Sequence, residues 1–112
     1  MTPERRVKDK VKKVLVEIRA YYAMPIGTGY GNAGVPDFLV CYEGRFIGIE
    51  CKANGNKPTA LQLKNFRDIE DAGGTVWLID ESNVDSLFLL LTEGVKQSEE
   101  AKQGRESAGT TG

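Results

Sequence analysis

The sequence predicts one mixed α/β domain, a small mixed sheet flanked by helices in the order α-β-β-β-α-β-α. Three observations carry that prediction. Val7, Val11, Val14, Leu15 and Ile18 recur at helical spacing. Two β-rich runs, 37–42 and 45–52, are joined by Glu43-Gly44, the short polar link of a hairpin. Gly73-Gly74 then separates a second helical pattern from the β-rich run 75–80 (TVWLID). A chain of 112 residues has room for one modest core. Residues 1–94 are read as the domain and 95–112 as a tail.

In order along the chain, Thr2-Pro3-Glu4 opens the first helix with a capping hydroxyl, a first-turn proline and an acid at the positive dipole end. The apolar stripe runs through Tyr22, so the helix is expected over 4–22. Pro25 and the glycines at 27, 29, 31 and 34 break it, and Ile26-Gly27-Thr28 is a candidate first strand. After the hairpin, Pro58-Thr59 opens a second helix. Thr59 and Gln62 have capping-box spacing, and Leu63, Phe66 and Ile69 supply the side expected to be buried. Gly73-Gly74 ends it. Beyond the last strand, Ser82 or Asn83 can cap a final short helix through Val84, Leu87, Phe88 and Leu91. From Val95 onward only alanines are left to pack, so that tail is expected to be disordered.

Composition narrows the chemistry. The chain has no histidine, which removes Ser-His-Asp and Cys-His catalysis and the usual zinc sites. A metal would have to sit on oxygen ligands, which favours Mg²⁺, Mn²⁺ or Ca²⁺. Two cysteines do not make a disulfide framework, and Cys41 and Cys51 fall apart in the proposed hairpin. They read as reduced residues of a cytoplasmic protein. No apolar run approaches the ~18 residues of a membrane span, and the charged N-terminus is unlike a secretory signal. The net charge of −1 hides an asymmetry: residues 1–67 carry 12 Lys+Arg against 6 Asp+Glu, whereas 68–95 carry seven acids and no base. The basic half suits a polyanion, and equally a solvated helix face.

Gly29-Tyr30-Gly31-Asn32-Ala33-Gly34 spells G-x-G-x-x-G. A dinucleotide site needs a helix to open there, but Val35-Pro36-Asp37 and a strand follow, so a flexible loop beside a site is the better reading. The informative constellation is Pro36-Asp37 followed by Glu50-Cys51-Lys52. Alternation places Phe46, Gly48, Glu50 and Lys52 on one face and Ile47, Ile49 and Cys51 on the other, apolar one. A turn at 43–44 sets Asp37 opposite Glu50. Two carboxylates can hold a divalent cation, and a lysine beside them can orient or deprotonate a water or stabilise developing charge. On these residues alone, the trio also fits an ordinary cross-strand ion pair. Glu4 lies within the arc of Val7, Val11, Leu15 and Ile18 at about 100° per residue, where a carboxylate wants a partner. It is also a first-turn acid that suits the helix dipole.

The ordered set of helix-borne acid (Glu4), GVPD (34–37), IECK (49–52), T-x-x-Q (59–62) and A-G-G (72–74), with a final β-α pair, resembles the PD-(D/E)xK nuclease superfamily. More narrowly, it resembles a stand-alone VRR-Nuc domain of phage type, over residues 4 to about 91. The resemblance implies a restriction-endonuclease-like core and a Mg²⁺-dependent endodeoxyribonuclease, with Mn²⁺ as substitute. It implies Asp37, Glu50 and Glu4 as metal carboxylates, with Cys51 contributing its backbone carbonyl. Lys52 then matches the catalytic lysine and Gln62 the family glutamine, although the capping box explains Gln62 as well. Arg5, Arg6, Lys8, Lys12, Lys13, Lys57 and Lys64 become candidates for phosphate contacts. The expected activity is Holliday-junction resolution by a homodimer on branched DNA in the host cytoplasm. The alternatives are a flap or DNA-processing nuclease within a larger complex, and a non-catalytic DNA-binding module.

Overall fold

The computed structural model describes residues 1–26 and 33–93. Helix α1 spans Pro3–Glu17; the Thr2 hydroxyl accepts from the Arg5 amide at 3.2 Å, and Pro3 occupies the first turn. Val7, Val11 and Leu15 form its buried stripe. The helix is shorter than the stripe predicts. The amides of Arg19 and Ala20 donate to the carbonyls of Val16 and Leu15, closing a Schellman turn. Arg19 takes the left-handed position of that turn at φ 61°. An arginine there gives no sequence signal for a stop. Tyr22 therefore leaves the helix and sits in strand β1, Tyr21–Ala23, where its ring meets Phe38 at a centroid distance of 5.9 Å. Ile26 belongs to no strand, and positions 27–28 of the expected strand lie outside the described residues.

Strands β2 (Phe38–Tyr42) and β3 (Arg45–Cys51) form the expected hairpin. Glu43 and Gly44 both have positive φ, at 50° and 74°, as a two-residue type I′ turn requires. The register pairs Phe38 with Ile49, so Asp37 and Glu50 face each other one step beyond. Helix α2 (Ala60–Asp71) carries both hydrogen bonds of the Thr59–Gln62 capping box and ends in a Schellman turn at Gly73, φ 98°. Strand β4 (Thr75–Ile79) returns parallel to β3 and completes a mixed sheet of order β1-β2-β3-β4. A 3₁₀ turn, Val84–Ser86, leads into a helix at 87–93. Neither expected cap serves it through its side chain. Asn83 accepts from the Asp80 amide and donates to the Leu78 carbonyl, while the Ser82 hydroxyl donates to Asp80. The residues read as the tail, from 95 onward, lie outside the described ones.

The core lies on one face of the sheet. Phe38, Val40, Ile47, Ile49, Cys51 and Ile79 meet Val7, Val11 and Leu15 of α1 and Val84, Leu87 and Leu91 beyond β4. Phe88, expected among these, is exposed because its neighbours at 87 and 91 already fill the inward arc. Helix α2 covers the other face thinly. Only Phe66 of its expected apolar side is buried, Ile69 is half-buried, and Leu63 is exposed. The approach is close where glycine permits it. A Cβ added to Gly34, at φ 84°, would lie 2.7 Å from the Leu61 backbone carbon. Gly34→Ala combines that collision with a left-handed backbone, and should cost on the order of 2–3 kcal/mol in denaturant unfolding. An unchanged midpoint would show that the 33–34 segment moves aside freely.

Candidate active site

The open end of the β2–β3 hairpin gathers the chemistry. Strand pairing ends at Phe38 and Ile49, and the next carboxylate takes over part of the ladder: Asp37 Oδ2 accepts from the Cys51 amide at 2.8 Å. That bond fixes the carboxylate across the strand end. Asp37 Oδ1 lies 3.4 Å from Lys8 Nζ, and the same ammonium lies 3.7 Å from Glu4 Oε2. The first turns of α1 thus bring Glu4 and Lys8 to the mouth of the hairpin.

Among the described residues, Glu50 is the one charged side chain of the interior, at 2% exposure. Its Oε2 accepts from Gln62 Nε2 at 3.0 Å and lies 3.5 Å from Lys52 Nζ. Its Oε1 is buried with no hydrogen-bond partner. Burial pushes the Glu50 carboxyl up from its usual 4.5 to about 7; the charge of Asp37 adds to the rise, and Lys52 opposes it. Gln62 closes the capping box and also contacts Glu50. Its Oε1 accepts from the Thr59 amide while its Nε2 holds Glu50, so the capping box orients the amide toward the site.

Two further groups are shaped by the same environment. Burial, reinforced by Asp37 and Glu50, pushes the Cys51 thiol up to about 12. It stays protonated at neutral pH with its side chain in the core, so only its backbone is offered to the site. Burial lowers the Lys8 pKa, but Asp37 and Glu4 outweigh it and the net shift is upward.

Among the described residues, no group of three His, Cys, Asp or Glu side chains is set to hold a metal ion. The residues that would hold an ion are fewer: the Asp37 and Glu50 carboxylates with the Cys51 carbonyl next to Glu50 in sequence. Those residues fit a hard cation. An unpartnered buried carboxylate oxygen is costly, and Mg²⁺ takes few protein ligands while keeping several waters.

The other candidates are dispersed. Arg5 pairs with Asp9 at 3.5 Å and Lys64 with Asp68 at 3.0 Å, both on exposed helix surface. Arg6 lines a cleft with Lys10, Glu81 and Val84. Lys12 and Lys13 are exposed, and Lys57 lies in the loop before α2. Lys8 alone leaves this set and joins the acidic cluster. Its signal was present in the sequence as the i,i+4 spacing from Glu4 on the inward arc of α1.

A four-stranded mixed sheet with helices on both faces makes this a small mixed α/β domain, with Asp37, Glu50 and Lys52 gathered at the end of its hairpin. The chain superposes on a solved structure described as a VRR_NUC domain with a TM-score of 0.63 and 24% identity, covering 78% of this chain and 95% of that one. The fold expected from the sequence resemblance is therefore the observed fold. Over 59 residues the chain is 40% identical to "Putative nuclease p44" of Acyrthosiphon pisum secondary endosymbiont phage 1, a match covering 52% of this chain. That match spans 63% of the phage protein, less than two thirds of its length. No family model matches the chain.

Proposed function

We propose that this chain is a metal-dependent, structure-selective endodeoxyribonuclease of the VRR-Nuc type. The observation that carries the reading is Glu50, a buried carboxylate opposite Asp37 in the strand register, with one unpartnered oxygen, held by Gln62 and adjoined by Lys52. Asp37, Glu50 and the Cys51 carbonyl would hold the ion, with Glu4 at the margin. Held there, Mg²⁺, or Mn²⁺ in its place, would supply Lewis-acid chemistry and a more acidic water. Asp37 is kept in place by the Cys51 amide, and Gln62 aligns Glu50. Lys52 orients the attacking water and stabilises the charge that develops on the phosphate. The cut leaves a 3′-hydroxyl.

The preferred substrate in this reading is a four-way junction, cut by a homodimer whose two sites address two strands. The phage origin of the sequence relative favours a role in the cytoplasm of an infected host. Pure protein incubated with junction, flap and duplex DNA tests the reading. Mg²⁺-dependent cleavage of the junction, abolished by EDTA, is expected. Cleavage confined to flaps would replace the junction assignment, and no cleavage of any substrate would overturn the enzyme.

The exposed cations of α1 are assigned to phosphate contacts. Replacing Arg5, Arg6 and Lys12 with alanine should weaken duplex-arm binding and flatten its salt dependence by about 0.9 log units for each phosphate no longer neutralised. Binding measured across a salt series checks this. An identical slope would return these residues to the solvated face.

A further inference from the structure

Lys8 differs from every other cation of α1. Its side chain is 28% exposed, against 69% for Arg5 and 59% for Lys10, and it points at the partly sheltered Asp37. The ammonium lies between Asp37 Oδ1 and Glu4 Oε2, two oxygens from different parts of the chain. We propose that Lys8 is a built-in counter-ion, standing between Glu4 and Asp37 in the metal-free protein and giving way when a divalent cation enters.

The charge balance supports this. Lys8 stands against the Glu4 and Asp37 carboxylates and Lys52 against the buried Glu50, so the pocket is close to neutral without metal. Adding a divalent ion while Lys8 stays would set two cations against the same Asp37 carboxylate at short range, where sheltered charges interact strongly. Lys52 is tied to Glu50 at 3.5 Å, with 13% of its side chain exposed. Lys8 has the freer exit, because its flexible four-carbon stem rises from a helix surface and can swing to solvent. The ammonium then offsets the repulsion between the carboxylates in the empty site and sets a threshold on metal affinity.

The inference rests on the metal site proposed above, and the experiment separates the two. Mn²⁺ binding is measured by calorimetry on wild type, Lys8→Met, Lys8→Arg and Asp37→Asn, together with melting with and without Mn²⁺. Lys8→Met should bind Mn²⁺ about tenfold tighter, because no cation has to leave. It should melt lower than wild type without metal, and the gap should close at saturating Mn²⁺. Lys8→Arg, which keeps the charge, should bind no tighter than wild type. Equal or weaker binding by Lys8→Met, with Asp37-dependent binding intact in wild type, would overturn the counter-ion role alone. Absence of Mn²⁺ binding in both wild type and Lys8→Met, or undiminished binding by Asp37→Asn, would overturn the metal site and the counter-ion role with it.

Discussion

Glu50→Gln should abolish DNA cleavage and make the metal-free protein more stable at neutral pH. Both effects follow from a carboxylate that is 2% exposed, faces Asp37 and has an unpartnered oxygen. The amide keeps the shape and can still accept from Gln62, but it carries no charge to hold a cation. The sign of the stability effect is set by linkage. The folded state holds the Glu50 proton up to about pH 7, whereas an ordinary glutamate loses it near 4.5. Between those values the native state binds more protons than the unfolded one, so stability falls as pH rises. The metal-free wild type should lose on the order of 3 kcal/mol across that window relative to Glu50→Gln. Melting curves from pH 4 to 8 in EDTA check this, and parallel curves for the two proteins would show that Glu50 is not held protonated. Asp37→Asn should also abolish cleavage, since its oxygen can accept from the Cys51 amide but cannot balance an ion. Full activity in either variant would remove these residues from the mechanism.

Lys52→Met should lower single-turnover cleavage on the order of 10²–10⁴-fold while leaving DNA binding close to wild type. The lysine is anchored against Glu50 at 3.5 Å, and its side chain is largely sheltered. The ion-pair reading predicts something else. An ordinary surface pair contributes about 0–1 kcal/mol to stability and nothing to chemistry. Lys52→Arg is the stricter variant, because a planar guanidinium keeps the charge but is a poor replacement for a compact ammonium that must face both a carboxylate and a water. Near-normal turnover of Lys52→Met, with saturating metal and pre-bound junction, would return this residue to the ion pair.

Much of this site was legible before any tertiary structure. The Glu43-Gly44 turn sets the hairpin register, and the register places Asp37 opposite Glu50. Strand alternation puts Glu50 and Lys52 on the face away from Ile47, Ile49 and Cys51. The second helix carried both its signals, Thr59 with Gln62 at the start and Gly73 at the end. These features are local. A type I′ turn, a capping box and a glycine in a left-handed C′ position are each decided within a few residues, so the letters suffice.

What the letters could not decide is where long-range pairing overrides local preference. Helix α1 stops in the same Schellman geometry as α2, but with Arg19 where α2 has Gly73. An arginine enters the left-handed region at a cost, and the chain turns there because Tyr21–Ala23 pairs with Leu39–Cys41 and Tyr22 packs on Phe38. Those pairings join segments far apart in sequence and have no periodic signature. The exposure of Leu63 and Phe88 is decided the same way, by which elements cover each face rather than by hydropathy. Lys8 belongs with them. The sequence determined that it lies one turn after Glu4, on the inward arc of a basic helix. Only the packing of α1 across the hairpin end set it against Asp37, because an ion pair between a helix and a strand is a property of their crossing.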